Sequence, residues 1–124
     1  MIDTTTIKEH VKRLSKLRKF SIDHLGMNGK GLPVLLDLVD AGAKVKATGF
    51  GRVDMDTPTI LESISLRSQN SLMFGTDMPS TRAKRPFKVD DIDLIVKVLG
   101  HEISRKVLWS NCVDFYEPNL ENTV

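Results

Sequence analysis

A carboxylate at the end of a buried strand is well placed for chemistry, and Asp77 holds that position in Leu72-Met73-Phe74-Gly75-Thr76-Asp77-Met78-Pro79. The apolar run that breaks into Gly-Thr-Asp reads as a buried parallel strand whose acid emerges at its C-terminal edge. Pro79 then ends the strand and turns the chain into a loop. The plainer alternative is an Asp that caps or turns that loop. His24 closes a second run, Phe20 to His24. An imidazole and a carboxylate at neighbouring strand ends can share a water, the His holding it and the Asp taking its proton as it attacks a carbonyl. By residue type alone, a hydrogen-bonded strand-end histidine is the plainer reading of His24. Arg52, in the loop 50–56, offers a guanidinium whose fork bonds both oxygens of a carboxylate at once. Arg82 and Arg85 follow Asp77 in the loop 80–86 and either extend an anion-binding rim or stay solvated in loose ion pairs.

Three strands must carry these residues. They read as 20–24, 44–49 and 72–77, each followed by a helix. Thr6 caps a first helix bearing Ile7, Val11, Leu14 and Leu17. Pro33 opens a second helix, with Leu32, Leu35, Leu36 and Val39 on its apolar face and Gly42 past its end. Thr57 and Pro58 form the cap and first turn of a third, which carries Ile60, Leu61, Ile64 and Leu66. Asp90 begins a fourth, with Ile92, Ile95, Val96 and Leu99, closed by Gly100. A last helix, 104–115, presents Val107, Leu108, Asn111 and Phe115, and residues 117–124 read as a frayed tail. Strands alternating with helices argue for an α/β domain with a parallel sheet. A three-stranded parallel sheet has two open edges, so the pattern points to part of something larger.

Composition narrows the function classes. The chain has 124 residues, 40% hydrophobic and 27% charged, which suits one ordinary globular domain. Eighteen basic against 16 acidic residues leave a net charge of +2, too balanced to argue for nucleic acid. The basic cluster Lys12, Arg13, Lys16, Arg18 and Lys19 reads as a solvated helix face. A single cysteine, Cys112, excludes an internal disulfide framework and fits a reducing compartment. No apolar run approaches the roughly 20 residues needed to cross a bilayer, and no signal-peptide layout opens the chain, so a cytoplasmic location is expected. His10 and His101 read as surface histidines, Cys112 as a buried inert thiol and Trp109 as packing.

Four segments carry a resemblance. Ile22-Asp23-His24-Leu25-Gly26, Lys44 to Arg52, Phe74 to Pro79 and Val107 to Tyr116 resemble, in order and spacing, the C-terminal part of the amidohydrolase-related family, and within it the 2-pyrone-4,6-dicarboxylate lactonase branch. The resemblance covers about residues 18 to 117. It implies a partial (β/α)₈ TIM barrel, roughly its last three βα units, with residues 1–124 as one C-terminal half-barrel domain. It implies hydrolysis of a lactone, ester or amide bond in a small carboxylate-bearing molecule. Asp77 then matches the family's eighth-strand aspartate, the general base, and His24 a late-strand histidine that holds the water. Both would also be ligands in members that bind a divalent metal such as zinc; some members bind none. Arg52 matches a loop arginine that pairs with a substrate carboxylate, and the segment from Asn111 to Tyr116 the final helix that packs the barrel shut. The family's first-strand His-x-His pair does not occur here, and His24 plus Asp77 is one ligand short of a hydrolytic metal site. Three expectations follow: a split hydrolase completed by an N-terminal half-barrel partner, a catalytically silent truncated remnant, or a homo-oligomeric half-barrel that binds an anion. Neither nucleic acid nor membrane is expected as a partner.

Overall fold

A computed structural model of the chain describes residues 11–14, 16–17, 19–52, 56–79 and 83–117. The expectations for Thr6, His10 and Arg82, and for the tail beyond Glu117, lie outside the described residues.

Helix α1 (Val11–Leu14) precedes β1 (Ser21–Ile22), two 3₁₀ turns (His24–Gly26 and Gly29–Gly31) and α2 (Leu32–Asp40). β2 (Lys44–Ala47), a 3₁₀ turn at Phe50–Arg52 and α3 (Thr57–Arg67) form the next unit. β3 (Leu72–Phe74) is followed by α4 (Val89–Arg105), a π turn (Lys106–Ser110) and α5 (Asn111–Tyr116). The strands pair in the order β1-β2-β3, all parallel. The expected α/β class and parallel strands with flanking helices are therefore present.

Register divides the sheet into two unlike faces. Ile22 pairs with Val45 and Val45 with Leu72, so one row of side chains points to the helices, where each is at most 5% exposed. Leu35, Leu38 and Val39 of α2, Ile60, Leu61 and Ile64 of α3, and Ile95 and Leu99 of α4 complete that core. Ser21 pairs with Lys44 and Lys46 with Met73, so the opposite face is polar on β2. Burying an Ile or Leu side chain contributes about 1.5–3 kcal/mol, so the helix-facing row and not the ladder holds the sheet together.

Element ends differ from expectation where a side chain or backbone angle decides them. The strands are shorter than the apolar runs, and His24 lies in a turn beyond β1. Asp56 and not Thr57 caps α3, accepting from Thr59 N at 3.2 Å. Helix α4 starts at Val89, held by Asp91 Oδ2 accepting from Lys88 N at 3.1 Å. Gly100 closes its first part as expected: its φ of +79° is non-helical, and a second helical stretch begins after it. Leu66, expected on an apolar face, is 81% exposed, and Trp109, expected to pack, is 69% exposed. Among the described residues no helix is long and apolar enough to cross a membrane.

Candidate functional site

The C-terminal ends of all three strands deliver a polar residue to one place. His24 follows β1, Thr48 follows β2, and Asp77 lies three residues beyond β3. Two of these have backbones in the left-handed region, His24 at φ 48° and Asp77 at φ 57°. His and Asp tolerate that region better than most side chains, and the conformation turns each chain sharply at its strand end. Leu25, also left-handed at φ 53°, does not tolerate it well. Its side chain is fully buried, and that burial offsets a backbone cost of about 1–2 kcal/mol.

The ring of His24 is 5% exposed as a residue and fixed from two sides. Nδ1 lies 2.7 Å from Thr48 Oγ1. Nε2 lies 3.8 Å from Asp77 Oδ1, beyond direct hydrogen-bond range. A carboxylate oxygen facing Nε2 favours the tautomer with its proton there, which leaves Nδ1 to accept from the Thr48 hydroxyl. The other Asp77 oxygen, Oδ2, accepts from Arg52 Nε at 2.6 Å, with both side chains about one-fifth exposed. Gly49 makes room for the ring: a Cβ there would stand 2.6 Å from His24 Nδ1, and its φ is +57°. Gly75 does the same for Thr48, whose Cγ2 would be 2.8 Å from an added Cβ.

His24, Thr48 and Asp77 line an open cleft of about 310 Å³ together with Asp23 and Lys46. Lys46 Nζ lies 3.2 Å from Asp23 Oδ1. Burial pulls the Lys46 ammonium down, but the hydrogen bonds and charges of Asp23 and Tyr116 outweigh it and raise its pKa. Arg52 is tied to the cleft through its bond to Asp77. Arg85 is elsewhere. Its Nη1 and Nη2 donate to Asp91 at 3.1 and 2.7 Å, and this bidentate hydrogen bonding, ahead of the opposing effect of burial, raises its pKa. It borders a separate void of about 10 Å³, room for a single water at most.

The structure thus brings His24, Asp77 and Arg52 together and leaves Arg85 with Asp91. Arg82 lies outside the described residues. Sequence reasoning missed Lys46, Thr48, Asp23 and Gly49. The available signal was the alternation Lys44-Val45-Lys46-Ala47-Thr48, which marks a strand with one polar face. Among the described residues no group of three or more His, Cys, Asp or Glu side chains could hold a metal. His24 and Asp77 do not fit a hydrolytic metal by themselves, since such a site takes three protein ligands.

No family model matches the chain, and no curated protein matches it in sequence. Its fold is similar to the apo crystal structure of ATU3138 from Agrobacterium tumefaciens, with a TM-score of 0.72 and 22% identity, covering 94% of this chain and 48% of that one. The likeness is one of fold, and the chain spans about half the length of the solved protein it matches.

Proposed function

We propose that the chain is the C-terminal half of an amidohydrolase-like (β/α)₈ barrel that hydrolyses a lactone, ester or amide bond in a small carboxylate-bearing molecule. The observation that carries this reading is the His24–Asp77 pair at the C-terminal edge of a parallel sheet, where barrel enzymes build their sites. A gap of 3.8 Å between Nε2 and Oδ1 is too long for a direct bond and suits one water held by both groups. His24 orients that water, and Asp77 takes its proton as the oxygen attacks the carbonyl carbon. Arg52 keeps the Asp77 carboxylate turned toward the water, and Thr48 keeps the ring in the tautomer that faces it. Lys46 is the cleft's cation for an anionic group of the substrate. The remaining groups of the site come from a second half-barrel, in keeping with a fold that spans about half of its structural neighbour.

The test is turnover. The chain, purified at natural abundance with whatever polypeptide accompanies it, is assayed against small lactones and esters that carry a carboxylate. Hydrolysis is expected, and Asp77→Asn abolishes it while the unfolding midpoint stays within about 3 °C, since a part-exposed isostere exchange removes little stability. Hydrolysis that survives Asp77→Asn overturns the role of Asp77. An unaccompanied and inactive chain overturns the hydrolase reading in favour of a silent remnant.

A further inference from the structure

Alternation along β2 puts Lys44, Lys46 and, just beyond the strand, Thr48 on the polar face of the sheet. Lys44 Nζ donates to Asn70 O at 2.7 Å, and Thr48 Oγ1 holds the His24 ring. Lys46 opens on the cleft, beside His24, Thr48 and Asp77. Its carboxylate there, Asp23 Oδ1, lies 3.2 Å from Nζ, long for a charge-assisted bond, and the two side chains are 34% and 45% exposed. The arginines near the strand ends are held more firmly. Arg52 Nε lies 2.6 Å from Asp77 Oδ2, and Arg85 makes two bonds to Asp91. Of these three cations, Lys46 gives up its carboxylate most easily.

Among the described residues, the local fold makes no other use of the Asp23 carboxylate. Asp23 stands directly before the turn His24–Gly26, yet its side chain makes no capping bond to that turn. Its backbone is ordinary extended chain, at φ −76° and ψ 149°, which any residue adopts. What the carboxylate does is neutralise Lys46 at the wall of a cleft of about 310 Å³, the lower end of the range for small-molecule sites. Asp23 Oδ1 marks a place that a carboxylate oxygen takes against Nζ. A free carboxylate takes that place when the Asp23 side chain swings toward solvent, and the exchange is of like for like. An exposed ion pair resists it by little.

We propose that Lys46 is the binding site for the carboxylate of a small molecule, and that Asp23 is its built-in competitor, an autoinhibitory side chain that the incoming group displaces. That this carboxylate belongs to the substrate rests on the function proposed above; that Lys46 binds one, against Asp23, does not.

The probe is acetate, exchanged for chloride at constant ionic strength, and the readout is the backbone amide resonances at positions 46 and 48 of the full chain. The wild type is expected to show saturable shifts. Asp23→Asn binds acetate about two- to fivefold more tightly, the factor by which an exposed pair competes. Lys46→Gln loses the saturable shift, alone and combined with Asp23→Asn. Urea midpoints stay close to that of the wild type, because an exposed pair contributes little to stability. Asp23→Ser repeats the test with a shorter neutral side chain. Acetate binding that is unchanged or weaker in both Asp23 variants overturns the competitor. Tightening that persists after Lys46→Gln is added belongs to the general field of the cleft and overturns the site at Lys46. So does the absence of a saturable shift in the wild type and in both Asp23 variants. Turnover enters none of these titrations, so a failed substrate screen and a failed anion site remain distinguishable.

Discussion

The His24 ring stands where it does because Gly49 has no side chain. A Cβ at that position would meet Nδ1 at 2.6 Å, and a left-handed φ of +57° would strain any other residue. Gly49→Ala is therefore expected to cost about 1–3 kcal/mol in a urea titration and to push the ring off Thr48, seen as a changed His24 resonance by NMR. An unchanged resonance would mean that the loop gives way and that Gly49 does not position the ring. At this scale the sequence was partly legible. Asp77 is visible because it ends an apolar run, whereas His24 enters only through the resemblance, since Phe20-Ser21-Ile22-Asp23-His24 by itself favours a plain strand-end histidine. Thr48 and Gly49 were not, because a hydroxyl or a glycine at a strand end has many uses and its partner sits 24 residues away in the chain. Arg52 and Arg85 show the limit of spacing arguments: residue type predicts a carboxylate partner but not which one. Arg52 took Asp77 and Arg85 took Asp91.

Elements were read well where hydrophobic periodicity runs long and poorly where one side chain decides. The four-residue rhythm of Leu35 and Val39, and of Ile60, Leu61 and Ile64, placed α2 and α3 on the core with their Pro-bearing first turns. Gly100 reads as a stop because glycine past a helix usually is one, and at φ +79° it does separate two helical stretches; the apolar pattern that resumes at Ile103 and Val107 belongs to the second. By spacing, Asn111 is one more residue of a packing face. It is instead the clamp between the last helix and the sheet, fully buried and donating to two carbonyls of the β3 region. Asn111→Ala strips both bonds and leaves a cavity, so a loss of about 2–4 kcal/mol is expected by urea unfolding. A loss below about 1 kcal/mol would mean that water replaces the amide and that β3 needs no cap. The exposed Asp40–Arg67 pair sets the contrast, since both side chains are about half exposed and such pairs contribute little.

Among the described residues, the sheet has one edge guarded and one not. Asn111 and Cys112 satisfy the outward carbonyls of β3, whereas β1 ends the strand order on the other side with only two residues in the ladder. Phe20 O accepts from Lys44 N, so on alternation Ser21 and Asp23 turn their backbone groups to the open edge. A parallel sheet with an open edge is a template for another strand. Proline distinguishes this edge from every other surface. At Ser21 it removes an outward N–H and no bond to β2, so Ser21→Pro is expected to change stability by about 1 kcal/mol or less. The same substitution blocks strand addition. In sedimentation velocity the wild-type chain, or the chain with its co-purifying polypeptide, should associate, and Ser21→Pro should remain at the mass of a single chain. The competing explanation is the apolar surface at Leu66 and Trp109, which are 81% and 69% exposed. Association that persists in Ser21→Pro but is lost in Trp109→Ala would move the interface to that surface, and the β1 edge would then be an end of the sheet and not a seam.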